Sequence, residues 1–363
     1  MRLFQNHGGF PGFIQCQQDR THVVSFKREV ARYLDFRYGA VHLLAPVLKG
    51  EDTAFFTYGD DETLQRLWAR EKGMTAKAGL AEILLAQIED HRTEGFYNLD
   101  PMRYGSDFVR RLPGCVKKSI AWRAAPSPGA DLGAYDLVVS NFPSILKGYE
   151  ERGWKTAYFS PAHDPDMNEY ASNDDRPIDV LFVGGYSRHH MRRAEILEAV
   201  ASLSDRYLIK FCLACSRFTR LAESPLARLA PLGKYRRPRE IRSVAEEPVY
   251  GRDLYALISR SKIVLNGAID MSGEERGNMR CFEAMGCRSA LLSDEGVYPE
   301  GMVAGKTMMT YRSSSDVVAR VEELLQKPSN VADIADAGHR MSASKYSKEK
   351  QWNAFQSLVS NLN

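Results

Sequence analysis

The regular alternation of short apolar runs with amphipathic segments constrains the fold of this chain more than any other feature. In the first half, apolar or β-branched runs predict strands at 1–5, 41–44, 53–57, 95–99, 118–122, 136–139 and 155–159. Apolar residues at helical spacing predict helices at 26–38, 64–68, 80–88 and 144–152. Strands that alternate with helices in this order predict a parallel sheet covered by helices on both faces.

The segment 160–179 interrupts this alternation. Its sequence, SPAHDPDMNEYASNDDRPID, is rich in Pro, Asp and Asn and has no apolar period, so we predict a domain boundary there. The pattern then restarts, with strands predicted at 178–183, 207–213, 262–266, 289–293 and 307–311 and helices at 190–202, 250–260, 317–325 and 348–358. A second α/β domain therefore follows the first.

The segment 262–287, KIVLNGAIDMSGEERGNMRCFEAMGC, predicts a buried strand, a polar loop and a helix whose first turn is Asn278, Met279 and Arg280. The first amides of a helix have no partner within the helix and can hold an anion such as a diphosphate. Glu275 and Glu283 lie on either side of the helix start with seven residues between them, so we expect both carboxylates near one anion site. The alternative is a charged loop with Glu283 in a surface pair with Arg280.

This spacing resembles the Glu-x7-Glu signature of GT-B nucleotide-sugar glycosyltransferases of the glycosyltransferase family 4 kind. RCFEAMGC and DLYALISRSKIVLN resemble the corresponding runs of the CgeB-type branch. The resemblance implies two doubly wound Rossmann-like domains facing across a cleft, at 1–165 for the acceptor and 166–345 for the donor, with a C-terminal helix at 346–363 packing back on the N-terminal domain. It also implies that Glu283 binds the ribose hydroxyls, that Glu275 faces the donor sugar, and that backbone amides and Arg280 bind the diphosphate, with Arg276 as a further candidate.

A second glycine-containing turn, Gly184-Gly185, is predicted after the first strand of the second domain. It lacks the G-x-G-x-x-G fingerprint of NAD sites and the lysine of a P-loop. It resembles the turn that opens the donor domain of GT-B enzymes, which implies that Arg188, Arg192 or Arg193 reaches the donor phosphates.

In the first domain, His7, Gly8 and Gly9 are predicted to form a flexible turn after the first strand. A Gly-Gly turn lets the backbone approach a ligand closely, and the resemblance implies that it faces donor and acceptor. Asp100 follows the strand predicted at 95–99, and ligands of parallel sheets bind beyond the carboxyl ends of the strands. Asp100 or His7 would take the acceptor proton in an inverting reaction; a plain loop and an Asp-Pro turn are the alternatives.

The function that the resemblance implies is transfer of a sugar from a nucleoside diphosphate sugar to a hydroxyl of a polysaccharide, lipid-linked or protein glycan. Retention of configuration, no metal and no further cofactor are expected with it, and no carboxylate set suited to Mg²⁺ stands out. A GT-B nucleotide-sugar epimerase and a non-catalytic nucleotide-sugar binding protein are the alternatives.

Composition limits the cellular setting. The 363 residues carry a net charge of +3 and lack an apolar stretch of the roughly 18 residues that a membrane span needs, and the start MRLFQNHGGF lacks a signal peptide's apolar region. We expect a cytoplasmic protein that binds no nucleic acid. The segment 228–242 has six basic residues and one acidic residue, which predicts a solvated loop or, alternatively, contact with an anionic lipid or polyanionic acceptor.

Overall fold

The apolar runs of the sequence form the parallel strands of two six-stranded sheets. The computed structural model describes residues 1–9, 12–14, 25–187, 190–224, 235–267 and 273–362. The chain divides into two compact units, the first made of Met1–Ala162 and Lys348–Asn363 and the second of His163–Ser347.

The sheet of the first unit is entirely parallel, with strand order β2-β1-β3-β4-β5-β6. Its strands are β1 (Leu3–His7), β2 (Ala54–Tyr58), β3 (Gly95–Asn98), β4 (Lys118–Trp122), β5 (Leu137–Ser140) and β6 (Thr156–Tyr158). Its helices are α1 (Phe26–Phe36), α2 (Ala45–Leu48), α3 (Glu62–Glu71), α4 (Leu80–Asp90), α5 (Ser106–Val109), α6 (Pro143–Glu150) and the C-terminal α15 (Lys348–Ser360). All residues of β1 and β3 are buried, as expected for central parallel strands covered on both faces.

The strand predicted at 41–44 is wrong: a 3-10 helix occupies Ala40–His42. The reason is a contact distant in sequence. The buried Lys348 Nζ of α15 donates to the carbonyl oxygens of Val41 and Leu43 at 3.0 and 2.7 Å, and Gln351 donates to the Val41 oxygen at 3.1 Å. Side chains of α15 therefore bind the carbonyls that a strand would direct to a neighbouring strand.

The sheet of the second unit is also entirely parallel, with strand order β12-β11-β10-β7-β8-β9. Its strands are β7 (Ile178–Gly185), β8 (Ile209–Ala214), β9 (Ala245–Glu246), β10 (Ser261–Leu265), β11 (Ala290–Asp294) and β12 (Met309–Tyr311). Its helices are α7 (Met167–Ala171), α8 (Met191–Ala201), α9 (Arg217–Glu223), α10 (Arg239–Val244), α11 (Gly251–Ser259), α12 (Met279–Gly286), α13 (Ser314–Gln326) and α14 (Pro328–Lys345). A short 3-10 helix, Ser202–Asp205, follows α8.

Both faces of this second sheet are buried. Val180 and Phe182 of β7 pack in one apolar core with Leu197 of α8 and Val321 of α13, while Leu181 between them on the strand is buried on the opposite face. Four helices of this unit were not predicted: α7 lies in the polar segment where a domain boundary is predicted, α9 and α10 lie between β8 and β9, and α14 follows α13 closely. None of the helices in the described part of the chain has the length and apolar content that crossing a membrane requires.

Candidate functional site

The strand order of the second sheet fixes where a ligand can bind. Neighbouring strands β7 and β10 are the point at which the chain reverses its direction across the sheet, and a crevice opens beyond their carboxyl ends at such a point. β7 ends at Gly185 and β10 ends at Leu265. Asn266 and Gly267, which directly follow β10, therefore lie at this crevice.

A chain of side-chain amides fixes the start of α12. Asn278, which is predicted to lie in the first turn, is the N-cap residue, and α12 begins one residue later at Met279. The Asn278 amide donates to Asn266 Oδ1 at 3.1 Å, and the Asn266 amide donates to Ser293 Oγ at 3.0 Å. Asn266 and Ser293 were missed as site residues; the signal that could have found Asn266 is a polar residue directly after a buried strand.

Arg280 and Glu283 form a buried ion pair one turn apart on α12. Arg280 Nη1 lies 2.6 Å from Glu283 Oε2, and the two side chains are 13% and 3% exposed. Burial raises the pKa of the Glu283 carboxyl, and the Arg280 guanidinium opposes that rise. The alternative of a surface pair is therefore wrong, because both charges are removed from bulk water.

The first amides of α12 are predicted to lack a partner within the protein, but two of them have one. The backbone amide of Arg280 donates to Asn278 Oδ1 at 3.1 Å, and the backbone amide of Cys281 donates to the carbonyl oxygen of Asn278 at 3.0 Å. Arg280 Nε, in contrast, is buried and has no hydrogen-bond partner among the described residues. Arg242 Nε is unpartnered in the same way, so the position of Arg280 on the first turn of α12 is what makes an anionic ligand a fitting explanation here.

Glu275 and Arg276 precede the helix in a loop tied to the segment after β11. The Arg276 amide donates to the Val297 oxygen at 2.7 Å, and Glu275 is partly buried beside this bridge. Arg276 Nε lies 2.6 Å from Asp294 Oδ2, and both side chains are buried. Arg276 is therefore not favoured as a further diphosphate ligand, since its guanidinium already pairs with a buried carboxylate.

The glycines predicted as a turn after β7 lie within the strand. Gly184 and Gly185 are the last two residues of β7 and pair with Leu213 and Ala214 of β8, so the predicted turn starts too early. The strand is longer because β8 continues beside it. Arg188 lies outside the described residues.

The remaining two candidate arginines lie on α8. Arg193 donates to the carbonyl oxygen of Gly267, just beyond β10, and Arg192 donates to the Arg312 oxygen at 3.2 Å. Arg193 is therefore the candidate that the fold brings to the segment after β10.

In the first sheet, neighbouring strands β1 and β3 form the corresponding reversal point. Gly8 and Asp100 follow these strands, and a Cβ added to Gly8 would lie 3.0 Å from Asp100 Cγ. Asp100 accepts from Arg103 Nε at 3.2 Å. The fold thus brings Gly8 and Asp100 together, and a side chain at position 8 would crowd the carboxylate.

Asp60 is a carboxylate that the sequence analysis missed. It follows β2, and its two oxygens accept from the Gly9 amide at 2.9 and 3.0 Å. Burial raises the pKa of Asp60 to about 6, the Gly9 amide opposes the rise, and the charge of Asp100 adds to it. No motif marks this residue, and its contact with the Gly9 amide depends on the pairing of β1 with β2, which are distant in sequence.

His7 does not lie in a flexible turn. It is the last residue of β1, it is buried, and its Nε2 lies 2.8 Å from the Gln5 amide nitrogen. Burial holds the pKa of His7 well below its ordinary value, and nearby His42 and Lys348 lower it further. The described geometry gives no support to His7 as the base for a bound acceptor.

Two cavities of the second unit lie away from the start of α12. One of about 330 Å³ and one of about 280 Å³ both border Arg288, whose guanidinium pairs with Asp174 and Asp336. The charge of Arg288 is thus compensated within the protein. Within the described ranges, no three His, Cys, Asp or Glu side chains come together as a metal site requires.

A family model described as glycosyl transferase-like matches residues 192–357. No curated protein matches the sequence significantly.

Solved structures match at low sequence identity. The Anabaena protein HepE, solved with UDP, matches with TM-score 0.56 and 12% identity over 99% of each chain. A glycosyltransferase from Rickettsia africae matches with TM-score 0.56 and 10% identity over 99% of this chain and 98% of that one. The sucrose-phosphate synthase of Thermosynechococcus elongatus matches with TM-score 0.51 and 12% identity over 78% and 77%. The chain therefore has the two-domain Rossmann-like α/β fold of these GT-B proteins.

Proposed function

We infer from the glycosyl transferase-like family match and the GT-B fold that this chain is a glycosyltransferase. We propose that it moves a sugar from a nucleoside diphosphate sugar to a hydroxyl of a glycan or lipid-linked acceptor. The observation that carries the donor assignment is the buried Nε of Arg280, which has no partner among the described residues and lies on the first turn of α12.

The donor diphosphate would bind at the start of α12. A diphosphate oxygen can accept from Arg280 Nε while Nη1 keeps its bond to Glu283, so the anion need not displace the ion pair. The positive end of the helix dipole at Met279 adds to this attraction. The amide chain from Asn278 to Asn266 would hold the helix start rigid during the reaction.

Glu283 would hold the ribose. A ribose diol offers two hydroxyl donors, and a carboxylate accepts both. Burial raises the pKa of Glu283, and the Arg280 guanidinium opposes this rise and so favours the carboxylate form. Arg280 therefore serves both the ribose contact, through Glu283, and the diphosphate contact directly.

Glu275 would face the transferred sugar. The reaction develops negative charge on the leaving diphosphate and positive charge on the sugar ring, and a pre-aimed guanidinium and carboxylate stabilise these two charges respectively. We propose that the reaction retains the anomeric configuration and needs no metal, because Arg280 and the positive end of the α12 dipole can stabilise the charge of the leaving group. Retention also removes the need for a separate strong base.

The relative HepE was solved with UDP-glucose, so UDP sugars are the first donors to test. The test is a thermal-shift panel of UDP, GDP, ADP, TDP and CDP, followed by the sugar nucleotides. A ligand at 100 times its dissociation constant stabilises the folded protein by about 2.7 kcal/mol. We expect one base to raise Tm distinctly more than the others.

Product analysis then separates the enzyme classes. Incubation of the preferred sugar nucleotide without acceptor should give slow hydrolysis, and addition of glycan acceptors should give transfer. An isomeric sugar nucleotide as product would instead identify an epimerase. Tight binding with neither hydrolysis nor transfer would identify a non-catalytic binding protein.

A further inference from the structure

A surface beyond the carboxyl end of β8 exposes aromatic and apolar side chains among arginines. Phe218 and Leu221 of α9 are 57% and 44% exposed, and Tyr235 is 36% exposed. The Phe218 and Tyr235 rings stack with centroids 5.1 Å apart and planes 22° apart. We call this surface the aromatic–arginine patch; its members are Arg217, Phe218, Leu221, Tyr235, Arg236 and Arg239.

The arginines of the patch are not neutralised within the protein. Arg217, Arg236 and Arg239 are exposed and have no salt-bridge partner among the residues that the structure describes. Across 216–224 and 235–242 there are six arginines and two glutamates. One of these glutamates, Glu223, is already paired with Arg237, so the surface keeps an excess of positive charge.

An internal contact fixes the two parts of the patch to each other. Arg237 binds Glu223 through two guanidinium nitrogens, Nε to Oε1 at 2.8 Å and Nη2 to Oε2 at 2.6 Å. The Arg237 amide also donates to Glu223 Oε1 at 3.1 Å. This two-pronged bond joins the end of α9 to the segment after Tyr235, so Phe218 and Tyr235 are held side by side before any partner binds.

The chemistry of the patch fits an anionic membrane surface better than a soluble polyanion. A soluble polyanion would satisfy the arginines but leave Phe218 and Leu221 in water. At an anionic bilayer the guanidinium groups meet lipid phosphates while aromatic and leucine side chains enter the interface. We propose that the aromatic–arginine patch docks this protein on the surface of an anionic phospholipid bilayer.

The test is co-sedimentation of the full chain with vesicles of phosphatidylcholine alone and with phosphatidylglycerol added. We expect binding only when phosphatidylglycerol is present, and weaker binding as salt rises. Each arginine near an anionic surface contributes about a fivefold factor in partitioning. Arg217→Glu with Arg236→Glu should therefore lower partitioning by about 25-fold or more, and Phe218→Ala should lower it by roughly threefold to tenfold.

Two matched variants serve as controls. Arg111→Glu reverses an exposed arginine of the first unit, and Leu208→Ala truncates a leucine as exposed as Leu221. Neither should change vesicle binding, and circular dichroism should show all variants folded. Absence of binding to phosphatidylglycerol vesicles by the wild type, or an equal loss in the Arg111 variant, would overturn the proposal.

Two further measurements distinguish other occupants of the patch. Dextran sulfate should compete with vesicles only weakly, and its binding should not depend on Phe218. Light scattering should show the same oligomeric state for wild type and Phe218→Ala.

If dextran sulfate binds through the arginines while vesicles do not bind, the patch is a site for a soluble polyanion. If Phe218→Ala loses a dimer that the wild type forms, the patch is an interface with a second copy of this chain.

Discussion

Arg280 Nη1 and Glu283 Oε2 lie 2.6 Å apart in a buried pair at the start of α12, while Arg280 Nε has no partner among the described residues. A buried pair costs desolvation energy, and replacing such pairs with apolar residues often does not destabilise a protein. Stability therefore gives no strong reason for charges at this position. A ligand that uses both the carboxylate and the free guanidinium nitrogen does give one.

The first prediction concerns Glu283. Glu283→Ala should weaken binding of the preferred nucleoside diphosphate by roughly 1.5–3 kcal/mol, the usual contribution of a hydrogen bond to a charged group. Glu283→Gln is the cleaner variant, since its amide keeps the shape of the side chain beside Arg280. Isothermal titration calorimetry measures both affinities.

The matched control for Glu283 is Glu323 of α13, which pairs with Arg320 at the same helical spacing. Arg320 Nη1 and Glu323 Oε2 lie 2.9 Å apart, and both side chains are exposed. Glu323→Gln should leave nucleotide affinity unchanged. Wild-type affinity in a folded Glu283→Gln protein would remove Glu283 from the donor site.

The second prediction concerns Glu275. Glu275→Gln should leave nucleoside diphosphate affinity near that of the wild type while lowering kcat, because a contact to the reacting sugar is strongest in the transition state. Calorimetry and steady-state transfer rates measure the two quantities in parallel. The neighbouring exposed Glu274 supplies the control, and Glu274→Gln should change neither. Normal turnover in the Glu275 variant would refute the assignment.

The third prediction assigns Arg276 a structural role. Arg276→Met should lower the free energy of unfolding by about 3–5 kcal/mol, because Asp294 would remain as an unpaired buried carboxylate. The exposed pair of Arg312 and Glu295, at 3.0 Å, is the control; Arg312→Met should cost less than about 1 kcal/mol. Denaturant unfolding measures both. Equal losses of unfolding free energy in the two variants would show that the buried pair stabilises the protein no more than the exposed pair does.

The sequence predicted most of the fold because local patterns determine most of it. The strand predicted at 118–122 is β4, and the helix predicted after the strand and polar loop of 262–277 is α12. Periodicity and capping act within a few residues, so a single sequence reveals them. The prediction of a strand at 41–44 failed because the structure of that segment depends on Lys348, which is distant in sequence.

The side-chain partners of the site were harder to predict. Glycine content indicated a turn at Gly184 and Gly185, but pairing with β8 extends β7 through both residues. The sequence analysis names Arg280 for the diphosphate with Arg276 as a further candidate, and only the fold shows that Asp294 pairs with Arg276. Partners that come from separate strands leave no local signature.

The fourth prediction concerns Asp60 and pH. The pKa of Asp60 is raised from 3.8 to about 6 in the folded protein, mainly by burial and also by the charge of Asp100. Between these two values the folded state binds more protons than the unfolded state. Stability contributed by Asp60 is therefore fully present below about pH 4 and is lost as pH rises to about 6.

Replacing Asp60 with Asn removes the titrating group while Oδ1 can still accept from the Gly9 amide. We expect wild type and Asp60→Asn to be similar at pH 4 and the variant to be more stable by about 1–2 kcal/mol at pH 7, a value discounted because the side chain is partly exposed. Denaturant unfolding at several pH values measures the difference. Asp107 of α5, which is exposed and pairs with Arg110, supplies the control, and Asp107→Asn should not show this pH dependence. A difference between wild type and Asp60→Asn that stays constant from pH 4 to pH 7 would show that the Asp60 pKa is not raised.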